Sequence, residues 1–216
     1  MVGAVSWPNI VTVSRMLLVF VVVMLAYGRT VWEGLLAALI AILIIVGDWL
    51  DGHLARKLDQ SSALGSVLDI AADRILETVM WIVLADLKLI PIWIPIVVIS
   101  RGIVTDSIRG YVIQFGYSGF GKNTLQRSKI GRFITGSPVM RTGYALLKAF
   151  SFGWLLLLGA LSEFLIRWPL FEISWLHLAL KIGYWAAVAA AVICVVRGIP
   201  VVIEGIGLIN RESAHA

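Results

Sequence analysis

Six apolar segments, each long enough to cross a lipid bilayer, constrain the fold of this chain more than any other feature. The chain has 216 residues, of which 60% are hydrophobic and only 14% are charged; these values are far from those of soluble domains. A membrane-spanning helix needs about 20 predominantly apolar residues. We place such segments at residues 11–27, 32–50, 64–84, 91–115, 139–165 and 176–196. We therefore predict an all-α polytopic membrane protein with six transmembrane helices, formed by one domain over residues 1–216 and preceded by a short N-terminal interfacial segment.

The distribution of basic residues predicts how these helices are oriented. An even number of spans leaves both termini on one side of the membrane. The basic residues on that side are Arg56, Lys57, Lys122, Arg127, Lys129, Arg132, Arg141, Arg197 and Arg211. Fewer basic residues fall in the loops of the opposite side, and an excess of Lys and Arg marks cytoplasmic loops. We therefore expect the cytoplasmic membrane, with both termini and the loop between the second and third spans in the cytoplasm.

Four aspartates lie around that loop, at Asp48, Asp51, Asp69 and Asp73. Because an acid at membrane depth costs at least ~2.5 kcal/mol, four acids together indicate a functional site. The first pair is spaced i,i+3 and the second i,i+4, so on helices each pair shares one face, with Cβ atoms roughly 5–6 Å apart. Such a cluster of carboxylate oxygens predicts a site for one or two hard divalent cations. Both Mg²⁺ and Mn²⁺ accept oxygen ligands, so the residues do not distinguish between them.

The residues around the aspartates predict a phosphate-bearing ligand. Gly52 and Gly65 carry no side chain, so a ligand or a facing backbone can come close to them. Ala55 keeps the next helical turn shallow, and Arg56 offers a planar guanidinium that suits a phosphate. We therefore expect the cations to lie between the acids and the phosphates of the ligand.

The spacing D-x2-D-G-x2-A-R-x8-G-x3-D-x3-D, which runs from Asp48 to Asp73, resembles the signature of the CDP-alcohol phosphatidyltransferase family. The resemblance implies a metal-dependent transfer of the phosphatidyl group from CDP-diacylglycerol to an alcohol, with release of CMP and with two Mg²⁺ or Mn²⁺ ions. It implies that the first three aspartates are principal metal ligands. It also implies that Asp73 is both a metal ligand and the base that takes the proton of the acceptor hydroxyl. The implied nucleotide-binding residues are Gly52, Ala55, Arg56 and Gly65.

A stretch at the start of the first span resembles a motif of bacterial phosphatidylglycerophosphate synthases, a branch of the same family. The run from Pro8 to Arg15 matches P-N-x-x-T-x-x-R. The resemblance implies that Asn9 and Thr12 contribute to donor binding. An arginine just inside a first span is equally expected to extend towards the lipid headgroups.

A second stretch, Ser100–Arg109, resembles the A-R-E-x5-L-R stretch of those synthases, although Gly102 stands where they usually have Glu. Arg101 and Arg109 are eight residues apart and therefore lie on one face of a helix. Two cations on an apolar helix suggest that they bind a phosphate of the acceptor.

The segment 116–137 adds a group of basic residues, from which Lys129 and Arg132 are further candidates for binding the acceptor phosphate. The alternative is that these residues are attracted to anionic lipid, which contributes ~1 kcal/mol for each basic residue near the surface. The sequence leaves both interpretations open.

The acceptor expected from these resemblances is sn-glycerol 3-phosphate, which would give phosphatidylglycerophosphate. Inositol phosphate, serine or another head group are the alternatives within the same reaction. A cation transporter or channel is the alternative of another class, but its acids are expected near the bilayer midplane between repeated halves, and no repeat is visible. A third alternative is a non-catalytic homologue, but the presence of all four aspartates argues against it. The expected partners are CDP-diacylglycerol, a small phosphorylated alcohol, membrane lipids and, by resemblance, a second copy of the chain; no nucleic acid is expected.

Overall fold

The computed structural model describes residues 7–28, 30–58, 63–114, 128–167 and 174–213, with backbone only at 7–9, 48–58, 63–64, 66, 166–167, 174 and 212–213. Within these ranges the regular elements are all α-helices. They are α1 (Trp7–Ala26), α2 (Val31–Leu58), α3 (Ala63–Asp86), α4 (Trp93–Ile113), α5 (Lys129–Gly136), α6 (Pro138–Arg167) and α7 (Ser174–Ser213). The predicted all-α class is therefore confirmed.

Each predicted span coincides with one of the six long helices in the described ranges, but two of these helices extend well beyond the apolar segments. Helix α2 continues to Leu58, so the first part of the aspartate motif is helical, whereas the predicted span ends at residue 50. Helix α7 has 40 residues and is about 60 Å long. Hydropathy detects only the part of a helix that is apolar, and backbone hydrogen bonding continues through the polar residues that follow.

The predicted loop 116–137 contains the short helix α5 in its second part. Ser128 is the N-cap, and its hydroxyl accepts a hydrogen bond from the amide of Gly131 at 2.9 Å. The cap satisfies one of the backbone donors that a helix leaves unpaired at its first turn. With eight residues, α5 is shorter than the windows of about 11–18 residues over which helical periodicity is recognised in a sequence.

Two helical regions, Lys129–Leu165 and Trp175–Arg211, are long and apolar enough to cross a membrane, judged by length and composition. Ile10–Ala26 and Val31–Gly47 form shorter apolar helices. These segments support the predicted membrane character. The number of spans stays a prediction.

The described residues form two compact units, whose boundaries fall directly before α4, inside α6 and inside α7. The first unit comprises residues 7–92 and 149–186. In it α1 packs against both α2 and α3, and the buried Trp81 meets Phe152 edge to face, with ring centroids 4.8 Å apart. Helices α2 and α6 approach closely at Gly34, where any side chain would overlap the methyl group of Ala160.

The second unit comprises residues 93–148 and 187–213, and therefore α4, α5, the start of α6 and the second half of α7. Its core includes Val112, Val201 and Leu208. The fully buried hydroxyl of Thr105 donates to the backbone carbonyl of Arg101, at 3.0 Å. This hydrogen bond satisfies a polar group that would otherwise be costly to bury.

Candidate active site

Two of the four predicted aspartates have described side chains, and both reach the same arginine. Asp69 and Asp73 lie one turn apart on α3, with side chains 52% and 55% exposed. On α1, Arg15 places Nη1 3.6 Å from Oδ1 of Asp69 and Nη2 3.6 Å from Oδ1 of Asp73. The i,i+4 spacing thus brings two carboxylates to one face of α3, where both meet a single cationic group.

The position of Arg15 follows from the face of α1 on which it lies. Thr12 and Arg15 are three residues apart on a largely apolar helix, and both are buried, at 7% and 6% exposure. A charge that is removed from water needs a partner of opposite charge, and the carboxylates of α3 supply it. The structure therefore places Arg15 against the acids rather than extended towards headgroups.

The remaining residues of the motif are placed by their backbone alone. Asp48, Asp51, Gly52, Ala55 and Arg56 all lie within the continuous helix α2, but their side chains are outside the described residues. The same holds for the side chain of Asn9 on α1, whereas Gly65 is half-buried one turn before Asp69 on α3. Among the described residues alone, no group of three or more metal-ligating side chains comes together. The convergence of all four aspartates therefore stays a prediction.

The described part of the motif fits a divalent cation. Two carboxylates that converge on one guanidinium can also converge on a metal ion, and oxygen is the donor that Mg²⁺ and Mn²⁺ prefer. Both side chains are half exposed, so an ion can reach them from solvent.

Arg101 is held in the second unit by contact with α7. Its side chain packs on Gly198, where an added Cβ would lie 2.9 Å from Cγ and 3.0 Å from Nε of the arginine. The glycine is therefore needed for the observed position of Arg101. Arg109 follows two turns later on α4 and is half-buried.

Sequence reasoning missed Arg197 as a candidate site residue. Its Nη2 donates to the carbonyl of Thr135 at 3.4 Å, and its guanidinium lies 5.3 Å from the ring centroid of Tyr144. It precedes Gly198, against which Arg101 packs, so two arginines meet at this part of α7. The Nε atoms of both are buried and have no hydrogen-bond partner among the described residues. Its only signal in the sequence is its place directly after the sixth apolar segment, which by itself indicates the orientation of the span and no contact with Arg101.

The short helix α5 carries the other two residues that are predicted to bind the acceptor phosphate, Lys129 and Arg132, and both are exposed. Ile130 and Phe133 on the same helix are exposed as well, at 72% and 61%. A helix that presents both basic and apolar side chains suits the interface between lipid and water. The interpretation of these two basic residues as lipid-attracting therefore stays open beside the acceptor-binding one.

Helix α5 is attached to α7 through a carboxylate. The hydroxyl of Ser128 donates to Glu204, and a side chain at Gly131 would collide with the same carboxylate. A negative charge at the first turn of a helix is favourable because the helix dipole is positive there. Glu204 therefore fixes where the basic residues of α5 lie within the second unit.

The model of the family described as CDP-alcohol phosphatidyltransferase matches residues 5–196, which is most of the chain. The chain belongs to the CDP-alcohol phosphatidyltransferase family. The resemblance drawn from the aspartate motif is thereby confirmed.

Several bacterial relatives carry the name CDP-diacylglycerol–glycerol-3-phosphate 3-phosphatidyltransferase. The one from Pseudomonas fluorescens is 33% identical over 112 residues, which is 50% of this chain and 57% of that protein. The one from Pectobacterium atrosepticum is 31% identical over 136 residues, 62% of this chain and 72% of that protein. The Bacillus subtilis protein is 34% identical over 114 residues, 47% of this chain and 59% of that protein. The chain thus spans a little over half the length of two of these relatives.

Proposed function

We propose that this chain is an integral-membrane phospholipid synthase that transfers the phosphatidyl group of CDP-diacylglycerol to sn-glycerol 3-phosphate, giving phosphatidylglycerophosphate and CMP. The observation that carries the proposal is the convergence of Asp69 and Asp73 on one cationic group, within a motif that has the family's spacing. The names of the relatives support the acceptor, since each contains glycerol 3-phosphate.

In this proposal the four aspartates hold two divalent cations, Mg²⁺ or Mn²⁺. When bound, such ions would neutralise the donor diphosphate and stabilise the charge that develops on the leaving CMP. Asp73 accepts the proton of the acceptor hydroxyl as its oxygen attacks the β-phosphorus, and the bond from that phosphorus to the oxygen of CMP breaks. A half-exposed carboxylate can reach a bound hydroxyl, which is the first requirement of a general base. The proposed donor-binding residues are Asn9, Thr12, Gly52, Ala55, Arg56 and Gly65.

The arginines of the second unit support a phosphorylated acceptor. Arg101 and Arg197 each carry a guanidinium, a group that suits a phosphate, and the buried Nε of each has no hydrogen-bond partner among the described residues. Arg109, Lys129 and Arg132 complete the proposed acceptor-binding set. Gly102 departs from the glutamate usual in glycerophosphate-using members, so the alternatives are the same reaction with inositol phosphate, serine or another head group.

The proposed setting is the cytoplasmic membrane, with six helices crossing it as one domain and with the aspartates and both termini on the cytoplasmic side. The apolar helices and the excess of basic residues on that side support it. A homodimer is proposed by resemblance to the family.

The acceptor is tested by measuring CMP release from CDP-diacylglycerol by the purified protein with Mg²⁺, in separate reactions with glycerol 3-phosphate, inositol 1-phosphate, inositol and serine. Release with glycerol 3-phosphate alone would support the proposal. Release with a different acceptor alone would contradict the proposed substrate and retain the reaction. No release with any of the four would contradict the proposed function.

A further inference from the structure

The contact between Arg15 and the α3 carboxylates has a geometry suited to two partners at once. The two terminal nitrogens of one guanidinium face different carboxylates at the same distance of 3.6 Å. The guanidinium is planar and always charged, and its nitrogens form a fixed fork. Arg15 is almost fully buried while both aspartates are half exposed. The cation is therefore a built-in part of the helix packing, whereas both acids can be reached from solvent.

The same two carboxylates are the proposed ligands of a divalent cation. A metal ion takes carboxylate oxygens at about 2.0–2.6 Å, so it would lie close to a guanidinium that is already within 4 Å of those oxygens. Two positive groups at that separation repel each other, and the repulsion is larger where water is partly excluded. Arg15 and the metal therefore compete for the negative charge of Asp69 and Asp73.

We propose that Arg15 is a resident counter-cation of Asp69 and Asp73, and that it makes divalent-metal binding depend on the diphosphate of the nucleotide donor. This inference rests on the proposed function, because the donor is what brings the diphosphate. Without nucleotide, the guanidinium neutralises much of the charge that would attract a metal. With nucleotide, the phosphates supply negative charge to both cations, so metal and nucleotide bind together. The coupling is reciprocal, since each ligand raises the affinity for the other by the same factor.

The inference makes the positive charge of Arg15, rather than the shape of its guanidinium, the property that opposes metal binding in the absence of nucleotide. Arg15→Gln removes the competing charge, so a metal ion alone is expected to bind more tightly than in the wild type. Arg15→Lys keeps the charge but loses the fork, because an ammonium group is a compact point charge. The lysine variant is therefore expected to keep weak metal binding in the absence of nucleotide.

The test measures Mn²⁺ binding to the full-length protein in detergent micelles by electron paramagnetic resonance of free Mn²⁺, with and without CDP. Signal from a protein-free mixture of Mn²⁺ and CDP is subtracted. For the wild type we expect CDP to tighten Mn²⁺ binding by about tenfold or more, a factor that corresponds to roughly 1.4 kcal/mol. For Arg15→Gln we expect Mn²⁺ alone to bind about tenfold more tightly than to the wild type, and the effect of CDP to fall correspondingly. No turnover is needed for either measurement.

Arg74→Gln is the matched control, because Arg74 follows Asp73 on α3 and its Nη1 lies 3.3 Å from Glu77. We expect this variant to bind Mn²⁺ like the wild type. An equal gain in Arg74→Gln would refute a specific role for Arg15. Unchanged or weaker Mn²⁺ binding in Arg15→Gln would also refute it. If the glutamine variant does not fold, the wild type still decides, since the absence of an effect of CDP on Mn²⁺ affinity contradicts the coupling.

Asp69→Asn separates this inference from the proposed function. If Asp69→Asn abolishes Mn²⁺ binding and Arg15→Gln leaves it unchanged, the proposed metal site is supported and only the role of Arg15 is refuted. Failure of the wild type and all variants to bind Mn²⁺, with or without CDP, would contradict the proposed metal site and the inference together.

Discussion

The contact between Gly198 and Arg101 gives the sharpest prediction about acceptor binding. In Gly198→Ala, the added methyl group would lie 2.9 Å from Cγ, 3.0 Å from Nε and 3.5 Å from Cδ of Arg101. Ordinary contacts of this kind are about 3.5–4.0 Å long, so the arginine must move by several tenths of an ångström or more. A displaced guanidinium loses hydrogen bonds to a bound phosphate, and hydrogen bonds to charged groups contribute roughly 1.5–3 kcal/mol.

We therefore expect Gly198→Ala to raise the KM for glycerol 3-phosphate by about 10- to 100-fold, with kcat much less affected. A rise in KM at constant kcat is the signature of lost ground-state binding. The assay is CMP release at saturating CDP-diacylglycerol over a range of glycerol 3-phosphate concentrations. The higher helix propensity of alanine, roughly 0.5–1 kcal/mol, offsets part of the cost of moving Arg101, so the change in KM is measured on folded protein at the same concentration of active enzyme.

Gly207→Ala is the matched control, since Gly207 lies on the same helix and an added Cβ there has nothing within 4 Å. It is expected to keep the wild-type KM. Equal KM values for Gly198→Ala, Gly207→Ala and the wild type would refute the acceptor-binding role of Arg101. The same conclusion would follow if Gly198→Ala lowered kcat and left KM unchanged.

Two further predictions concern stability. Ser128→Ala removes the N-cap of α5 and its link to Glu204, so the free energy of unfolding measured by denaturant titration should fall by about 1 kcal/mol. The control is Ser107→Ala, because Ser107 is exposed. Equal effects of the two changes would contradict the capping argument. Phe152→Ala removes a ring that is 1% exposed and packed on Trp81, so the free energy of unfolding should fall by about 3–5 kcal/mol. Phe150 is 42% exposed, so Phe150→Ala should lower it clearly less. Similar losses for the two variants would show that the Trp81–Phe152 contact is not a centre of packing.

Local features of this protein were predictable from sequence because they depend on helical periodicity. The i,i+4 spacing of Asp69 and Asp73 was enough to place both carboxylates on one face of α3, and the structure brings both to one guanidinium. The long helices were predictable from their apolar runs. Their ends were not, since α2 continues through the polar motif to Leu58 and α7 to Ser213.

Features that depend on contacts between helices were not predictable from a single sequence. The pairing of Arg15 with the α3 acids requires α1 to pack against α3 in one particular register. The meeting of Arg101 with α7 requires a glycine at position 198, nearly 100 residues later in the chain. Arg197 was overlooked for the same reason, because nothing in its own neighbourhood along the sequence indicates that a second arginine lies beside it.

The central claim is that the chain transfers a phosphatidyl group to glycerol 3-phosphate and that the carboxylates of α3 are required for this reaction. One measurement tests it most directly. Radiolabelled glycerol 3-phosphate is incubated with CDP-diacylglycerol, Mg²⁺ and purified protein, and label that enters the lipid phase is counted for the wild type, Asp73→Asn and Asp86→Asn. Asp86 is the control, because it lies on the same helix and accepts a hydrogen bond from Tyr27 at 2.6 Å. We predict incorporation by the wild type and Asp86→Asn, and a loss of at least about 100-fold in Asp73→Asn. Equal incorporation by both variants would contradict the account.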